Sequence, residues 1–150
     1  MSSVTVHSRP VITVTNSAYL CFGQSFTLSH QGADTYSSEG SGVVSPSSNS
    51  NYTVTGFSQQ VCSSLISPVA NIQVLSLPAL TLSGPNSVCS GSTISQLVST
   101  SAPTFTWNTG STANPIAFNS TVTSVCSITV KGSNGCKNEM SKTITVNDLT

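Results

Sequence analysis

The chain is written twice. Sliding it along itself by 68 positions sets Pro10 on Pro78, Thr13 on Thr81, Cys21 on Cys89 and Gly23 on Gly91. The register holds without a gap from Val4 to Ser25, with six identities in 22 positions. Six identities alone would be weak, but the later part of each unit agrees. "YTVTGFSQQVC" (52 to 62) lies on "CSITVKGSNGC" (126 to 136), each alternating inward and outward residues and each reaching a cysteine. A self-similarity of this period reads as two copies of one supersecondary unit, with boundaries at 1–77 and 78–150.

Within each copy the apolar alternation has period two, and clusters of Gly, Asn, Ser and Pro punctuate it, which predicts strands and turns and no helix. The expected strands of the first copy run 10–15, 24–30, 34–38, 42–45, 51–57 and 69–75. Those of the second run 78–83, 92–99, 103–108, 115–118, 124–131 and 141–147. Six to seven short strands per copy predict an all-β chain of two antiparallel β-sandwiches.

Val4, Thr5, Val6 and His7 read as a strand in their own right. "VTV" at 4–6 occupies the place of "IQV" at 72–74 and matches "ITV" at 144–146, the last strand of the second copy. Residues 1–9 thus look like the closing strand of a preceding copy, in an excerpt from a longer array. A segment that completes a neighbouring molecule by strand addition, or one that pairs within its own domain, are the other readings.

Composition narrows the function classes. Only four Lys plus Arg and four Asp plus Glu are present, the formal net charge is zero and charged residues make up 5%, against roughly 25% in an ordinary soluble domain. Arg9, Lys131, Lys137 and Lys142 are too scattered to form the basic stripe that nucleic acid requires. No apolar run approaches the ~18 residues that span a bilayer as a helix, so no membrane insertion is expected.

The five cysteines take their expected pairing from the repeat. Cys21 corresponds to Cys89 and Cys62 to Cys136, so Cys21 with Cys62 and Cys89 with Cys136 is the economical arrangement. Each bridge would staple a thin core, by about 4 kcal/mol in the chain-entropy model, and would place the chain in an oxidising compartment. A rival pairing, Cys89 with Cys126 across the sheets around Trp107, imitates antibody domains. Under the first pairing Cys126 is left over, either as a buried thiol acting as a small hydrophobe or as an intermolecular link.

Catalysis finds little support. His30 and Asp34 lie near serines in "SHQGAD", but with 31 serines in the chain a neighbouring hydroxyl is expected by chance, and no Gly-x-Ser-x-Gly elbow is present. His7 and His30 are far apart, the carboxylates lack calcium-loop spacing and the cysteines lack Cys-x-x-Cys spacing. No cofactor or metal is therefore expected. Carbohydrate binding is a closer competitor, with Trp107 as a sugar platform if it faces solvent; sharing a strand face with Phe105 makes it a core residue instead.

The motifs "CSGST", "FTW", "NYTVT", "SNGC" and "TITV" together resemble the immunoglobulin-like repeats found in tandem in large secreted and cell-surface proteins of Bacteroidetes-type bacteria. The resemblance covers nearly the whole chain and implies two immunoglobulin-like sandwiches of an extracellular stalk, filament or adhesin. It further implies a structural role without catalysis, and partners that are neighbouring repeats, copies of the chain or surface glycans. The first copy departs from the pattern where "TYSSEG" (35 to 40) lies on "FTWNTG" (105 to 110), which puts Ser38 in the place of Trp107 and predicts a smaller first core. Cys126 in place of the usual aromatic is a second departure.

Overall fold

The computed structural model describes residues 2–14, 17–38 and 42–148. The chain divides into two compact units, Met1–Leu75 and Ser76–Thr150. Every regular element among the described residues is a β-strand.

The first unit holds β1 (Thr13–Val14), β2 (Ser17–Cys21), β3 (Phe26–Thr27), β4 (His30–Gln31), β5 (Thr35–Ser38), β6 (Val43–Val44), β7 (Ser50–Phe57) and β8 (Val69–Leu75). One sheet has the order β2-β8-β7-β5, and two small pairs, β1-β4 and β3-β6, lie apart from it. The second unit holds β9 (Leu80–Ser83), β10 (Ser87–Cys89), β11 (Thr93–Thr100), β12 (Thr104–Trp107), β13 (Ile116–Asn119), β14 (Ser124–Lys131) and β15 (Lys137–Asn147). Its sheets have the orders β10-β15-β14-β12 and β13-β11-β9.

The ladders give both units one topology. Thr13 pairs with Gln31 as Thr81 pairs with Ser99, and Asn51 with Asn71 as Val125 with Thr143. In each unit the opening strand leaves one sheet, and its continuation joins the other beside the last strand, in parallel: β2 on β8 and β10 on β15. Two facing sheets, a switching first strand and, in the second unit, a buried tryptophan on the third antiparallel strand define the architecture. Both units are immunoglobulin-like sandwiches.

The cores follow the alternation. In β14 the inward residues Cys126, Ile128 and Val130 are buried, and they pack with Leu80, Ile94, Val98, Trp107, Ile116 and Ile144. The first core has a smaller cluster, Leu28, Val44 and Ala70, with Phe26 and Tyr52 against it. Ser38 stands opposite Val54 as Trp107 stands opposite Ile128, so the indole has no counterpart. Close backbone approach helps fill the first unit: a Cβ on Gly56 would lie 2.5 Å from Ile12 Cγ2 and 2.7 Å from Ala33 Cβ.

Three expectations are corrected. The strands β2 and β10 lie where turns were expected, because Gly84, Pro85 and Asn86 read as breakers when they mark the bend between sheets. The single strand expected at 24–30 is two short pieces, β3 and β4, whereas β11 is continuous. Val4, Thr5, Val6 and His7 belong to no strand and are exposed.

Candidate functional site

Neither of the expected Cys21–Cys62 and Cys89–Cys136 bridges is present. Cys62, Cys89 and Cys126 carry free thiols, whereas Cys21 and Cys136 are disulfide-bonded. The parallel ladders explain why neither expected bridge forms. Cys21 is registered against Leu75, the last residue of β8, while Cys62 precedes the first. About 20 Å of strand separates those ends at ~3.3 Å per residue, and a disulfide needs Cα atoms within about 7 Å. Cys89 is likewise registered against Asn147 at the far end of β15, and Cys136 precedes its start. The rival Cys89–Cys126 bridge fails too, since both are free, the first exposed and the second buried. Burial pushes the Cys126 thiol up from its ordinary value, which keeps it protonated and inert.

Trp107 is 2% exposed, and its Nε1 donates to the Ala113 carbonyl at 2.8 Å. Its ring is core, so the sugar-platform expectation does not hold for this residue. His30 and Asp34 serve the first unit's packing. The His30 ring meets the Tyr36 ring edge-on with centroids 4.0 Å apart, and Asp34 Oδ2 accepts from the Gln59 backbone N–H at 3.0 Å. Among the described residues no group of three or more His, Cys, Asp or Glu is placed to hold a metal ion. Among the described residues no helix is long and apolar enough to cross a membrane.

Sequence reasoning missed an apolar surface on the first unit. Pro10, Val11, Ile12, Leu65 and Ile66 line a groove of about 240 Å³, in which Val11, Leu65 and Ile66 are 84%, 78% and 75% exposed. Single exposed apolar residues are ordinary; here three large aliphatics, Val11, Leu65 and Ile66, lie together. The signal was present in "SSLISP": two adjacent large aliphatics between polar residues, just before a proline that interrupts strand pairing. A neighbouring open cleft of about 500 Å³ is polar, with His7, Arg9, Asp34, Ser58 and Gln60 among its lining residues.

In the second unit, residues 76–79 are tied down by that unit's own side chains. Asn134 Nδ2 donates to the Ser76 carbonyl and Asn138 Nδ2 to the Pro78 carbonyl, both at 2.9 Å, while the Ala79 N–H donates to Ser101 Oγ at 3.0 Å.

No protein-family model matches the chain, and no curated protein matches it by sequence. Among solved structures it is similar to the insect immune protein hemolin, with TM-score 0.43 and 10% identity, over 99% of this chain and 49% of that one. It is also similar to the N-terminal Ig1-2 module of the Drosophila receptor protein tyrosine phosphatase DLAR, with TM-score 0.36 and 12% identity over 95% and 100% of the two chains. Immunoglobulin domains 1–4 of Sidekick-1 match with TM-score 0.35 and 11% identity over 92% and 48%. The chain spans about half the length of the hemolin and Sidekick-1 chains. The immunoglobulin-like assignment rests on the ladders of the chain itself.

Proposed function

We propose that the chain is a non-catalytic structural and adhesive module, a building block of an extracellular stalk or filament of the kind its motifs resemble in Bacteroidetes-type surface proteins. The observation that carries this reading is the strapped segment 76–79. Only these four residues lie between the end of β8 and the start of β9, and three of them are hydrogen-bonded to the second unit. A flexible tether would leave such a stretch solvated and rich in Gly and Ser; a connection held this way suits a spacer made of copies of one module. The nearly uncharged surface fits a role in which neighbouring copies, and not a charged ligand, are the contacts.

Limited proteolysis with a broad-specificity protease tests the reading. The folded chain should resist cleavage at 76–79 until it unfolds, since exposed flexible connections are the preferred nicking sites. Early appearance, on reducing gels, of two stable fragments cut in that segment would overturn it.

A further inference from the structure

We propose that Cys89 of one copy of this chain forms a disulfide with Cys62 of a second copy, so that copies are linked in series. The proposal rests on the building-block reading above only in taking copies to meet end to end.

The repeat gives the chain two kinds of cysteine. Cys21 and Cys89 share one position, which the same bonds fix in both units. The Phe22 N–H donates to the Leu75 carbonyl and the Ser90 N–H to the Asn147 carbonyl, both at 2.9 Å, and the Gln24 and Ser92 N–H groups close the same turn onto the carbonyls of Cys21 and Cys89. Leu75 is the last residue of the first unit and Asn147 ends β15. Each of these is therefore an exit cysteine, set where the chain leaves its unit.

Cys62 and Cys136 share the other position. The Ser58 N–H donates to the Cys62 carbonyl at 3.0 Å and the Gly132 N–H to the Cys136 carbonyl at 2.8 Å. The equivalence lapses only beyond, where Asn71 follows Cys62 by nine positions and its counterpart Thr143 follows Cys136 by seven, an insertion of two residues in the stretch that holds Leu65 and Ile66. Each turn lies against the opening residues of its own unit. Ser58 and Gln60 line a cleft with Ser8 and Pro10, as Gly132 and Asn134 do with Ser76 and Pro78. These two are entry cysteines.

The bonding state of the chain shows which kinds combine. Cys21 and Cys136, one exit cysteine and one entry cysteine, are disulfide-bonded, and the other three are free. Of those three, Cys126 is buried in the second core, which withdraws it from solution chemistry. Cys89 is exposed and Cys62 half-buried, and they are the exit cysteine of the second unit and the entry cysteine of the first. A series of like modules repeats its nearest-neighbour contacts, so the exit of one copy meets the entry of the next with the same two kinds of thiol. Each copy offers one of each kind, so the linkage is head-to-tail and propagates.

The bridge forms by exchange with a small-molecule disulfide, the oxidant of an oxidising compartment. The Cys89 thiolate attacks one sulfur of that disulfide and expels a small thiolate, leaving a mixed disulfide on Cys89. The Cys62 thiolate of the second copy then attacks Cys89 Sγ, the Sγ–Sγ bond forms and the second small thiolate leaves. The two cysteines lose two protons and two electrons, which the small disulfide gains on becoming two thiols.

Incubation with oxidised glutathione tests this, followed by acid quenching, alkylation, denaturing non-reducing gels and peptide mapping. The natural chain should give a ladder of multiples of 15.4 kDa that collapses on reduction, and its dominant new cross-linked peptide should join Cys89 to Cys62. Cys89→Ser and Cys62→Ser should each remain monomeric. An equimolar mixture of the two should stop at a dimer, because one exit–entry pair is all that remains between them. Monomers carrying only glutathione adducts, a ladder in which Cys89–Cys89 or Cys62–Cys62 bridges equal the mixed one, or either variant linking as readily as the natural chain would each overturn the proposal. The mapping uses the natural chain, so it decides the matter even where a substitution disturbs folding. None of these outcomes bears on cleavage at 76–79.

Discussion

Val61 holds, in the turn of the first unit, the left-handed backbone position that Gly135 holds in the second, with φ of 62° and 84°. Both turns are closed by the same pair of bonds, Val61 N–H to the Ser58 carbonyl and Gly135 N–H to the Gly132 carbonyl among them. A β-branched side chain there costs about 1–2 kcal/mol, whereas glycine adopts it freely at some cost in unfolded-state entropy. Val61 is 79% exposed, so its removal gives up little packing. Val61→Gly should therefore stabilise the first unit by about 1 kcal/mol, seen as a higher denaturation midpoint, and Gly135→Val should destabilise the second. An unchanged or lower midpoint for Val61→Gly would contradict the relationship.

The two units should unfold separately. The second core is built around Trp107, whereas the first offers Ser38 at the same ladder position and a smaller buried cluster. Trp107 is the chain's single tryptophan, so its emission reports the second unit alone, while circular dichroism sees both. Denaturation followed by circular dichroism should begin at lower denaturant than the emission change, a departure from two-state behaviour. Coincident curves would refute it.

Asn114 should matter beyond its size. Its side chain accepts from the Val98 N–H at 3.0 Å and donates to the Val98 carbonyl at 2.9 Å, taking the place of a strand residue at the edge of β11. Asn114→Ala would leave both backbone groups partly buried and unpaired, at a cost of about 2 kcal/mol, while Asn114→Asp would keep only the accepting half. Equal stability of the alanine variant in chemical denaturation would remove this role.

The thiols should react in the order of their exposure, Cys89 first, Cys62 next and Cys126 only on unfolding. Burial raises the Cys126 thiol, so the folded chain keeps this proton where the unfolded thiol, near about 8.5, has lost it. The unfolded state then binds fewer protons and stability falls as pH rises through that value. A Cys126→Ala variant, though less stable throughout, should lose less on going from neutral to alkaline pH. Native-state alkylation with mass mapping checks the order, and rapid labelling of Cys126 would refute its burial.

Much of this fold is legible in the sequence where residues alternate strictly. β14 falls at the expected 124–131, and the burial of Trp107 follows from sharing a face with Phe105. Ser38 in the tryptophan site is legible for the same reason, since a period of two fixes which residues face each other across a ladder. What was missed turns on chain direction, which periodicity does not encode. The three residues of β10 follow a Gly-Pro-Asn bend and look like a loop until their parallel partner is known. Because that partner is the last strand, the cysteines matched by the repeat sit at opposite ends of it, and a pairing drawn from symmetry fails on distance. Leu65 and Ile66 were missed because a two-residue insertion in one copy carries no pattern until the two ladders are counted against each other.

The parallel pairing has a consequence under load. When a unit is stretched by its chain ends, neighbouring strands that run the same way are sheared, so their hydrogen bonds share the tension and fail together instead of unzipping singly. The first unit joins β2 to β8 through the five pairs Ser17↔Asn71 to Cys21↔Leu75, the second joins β10 to β15 through the three pairs Ser87↔Thr145 to Cys89↔Asn147. Forced opening is set by this local barrier and not by the whole core. In the reduced chain the second unit, with the larger core, is therefore the one that yields first when pulled.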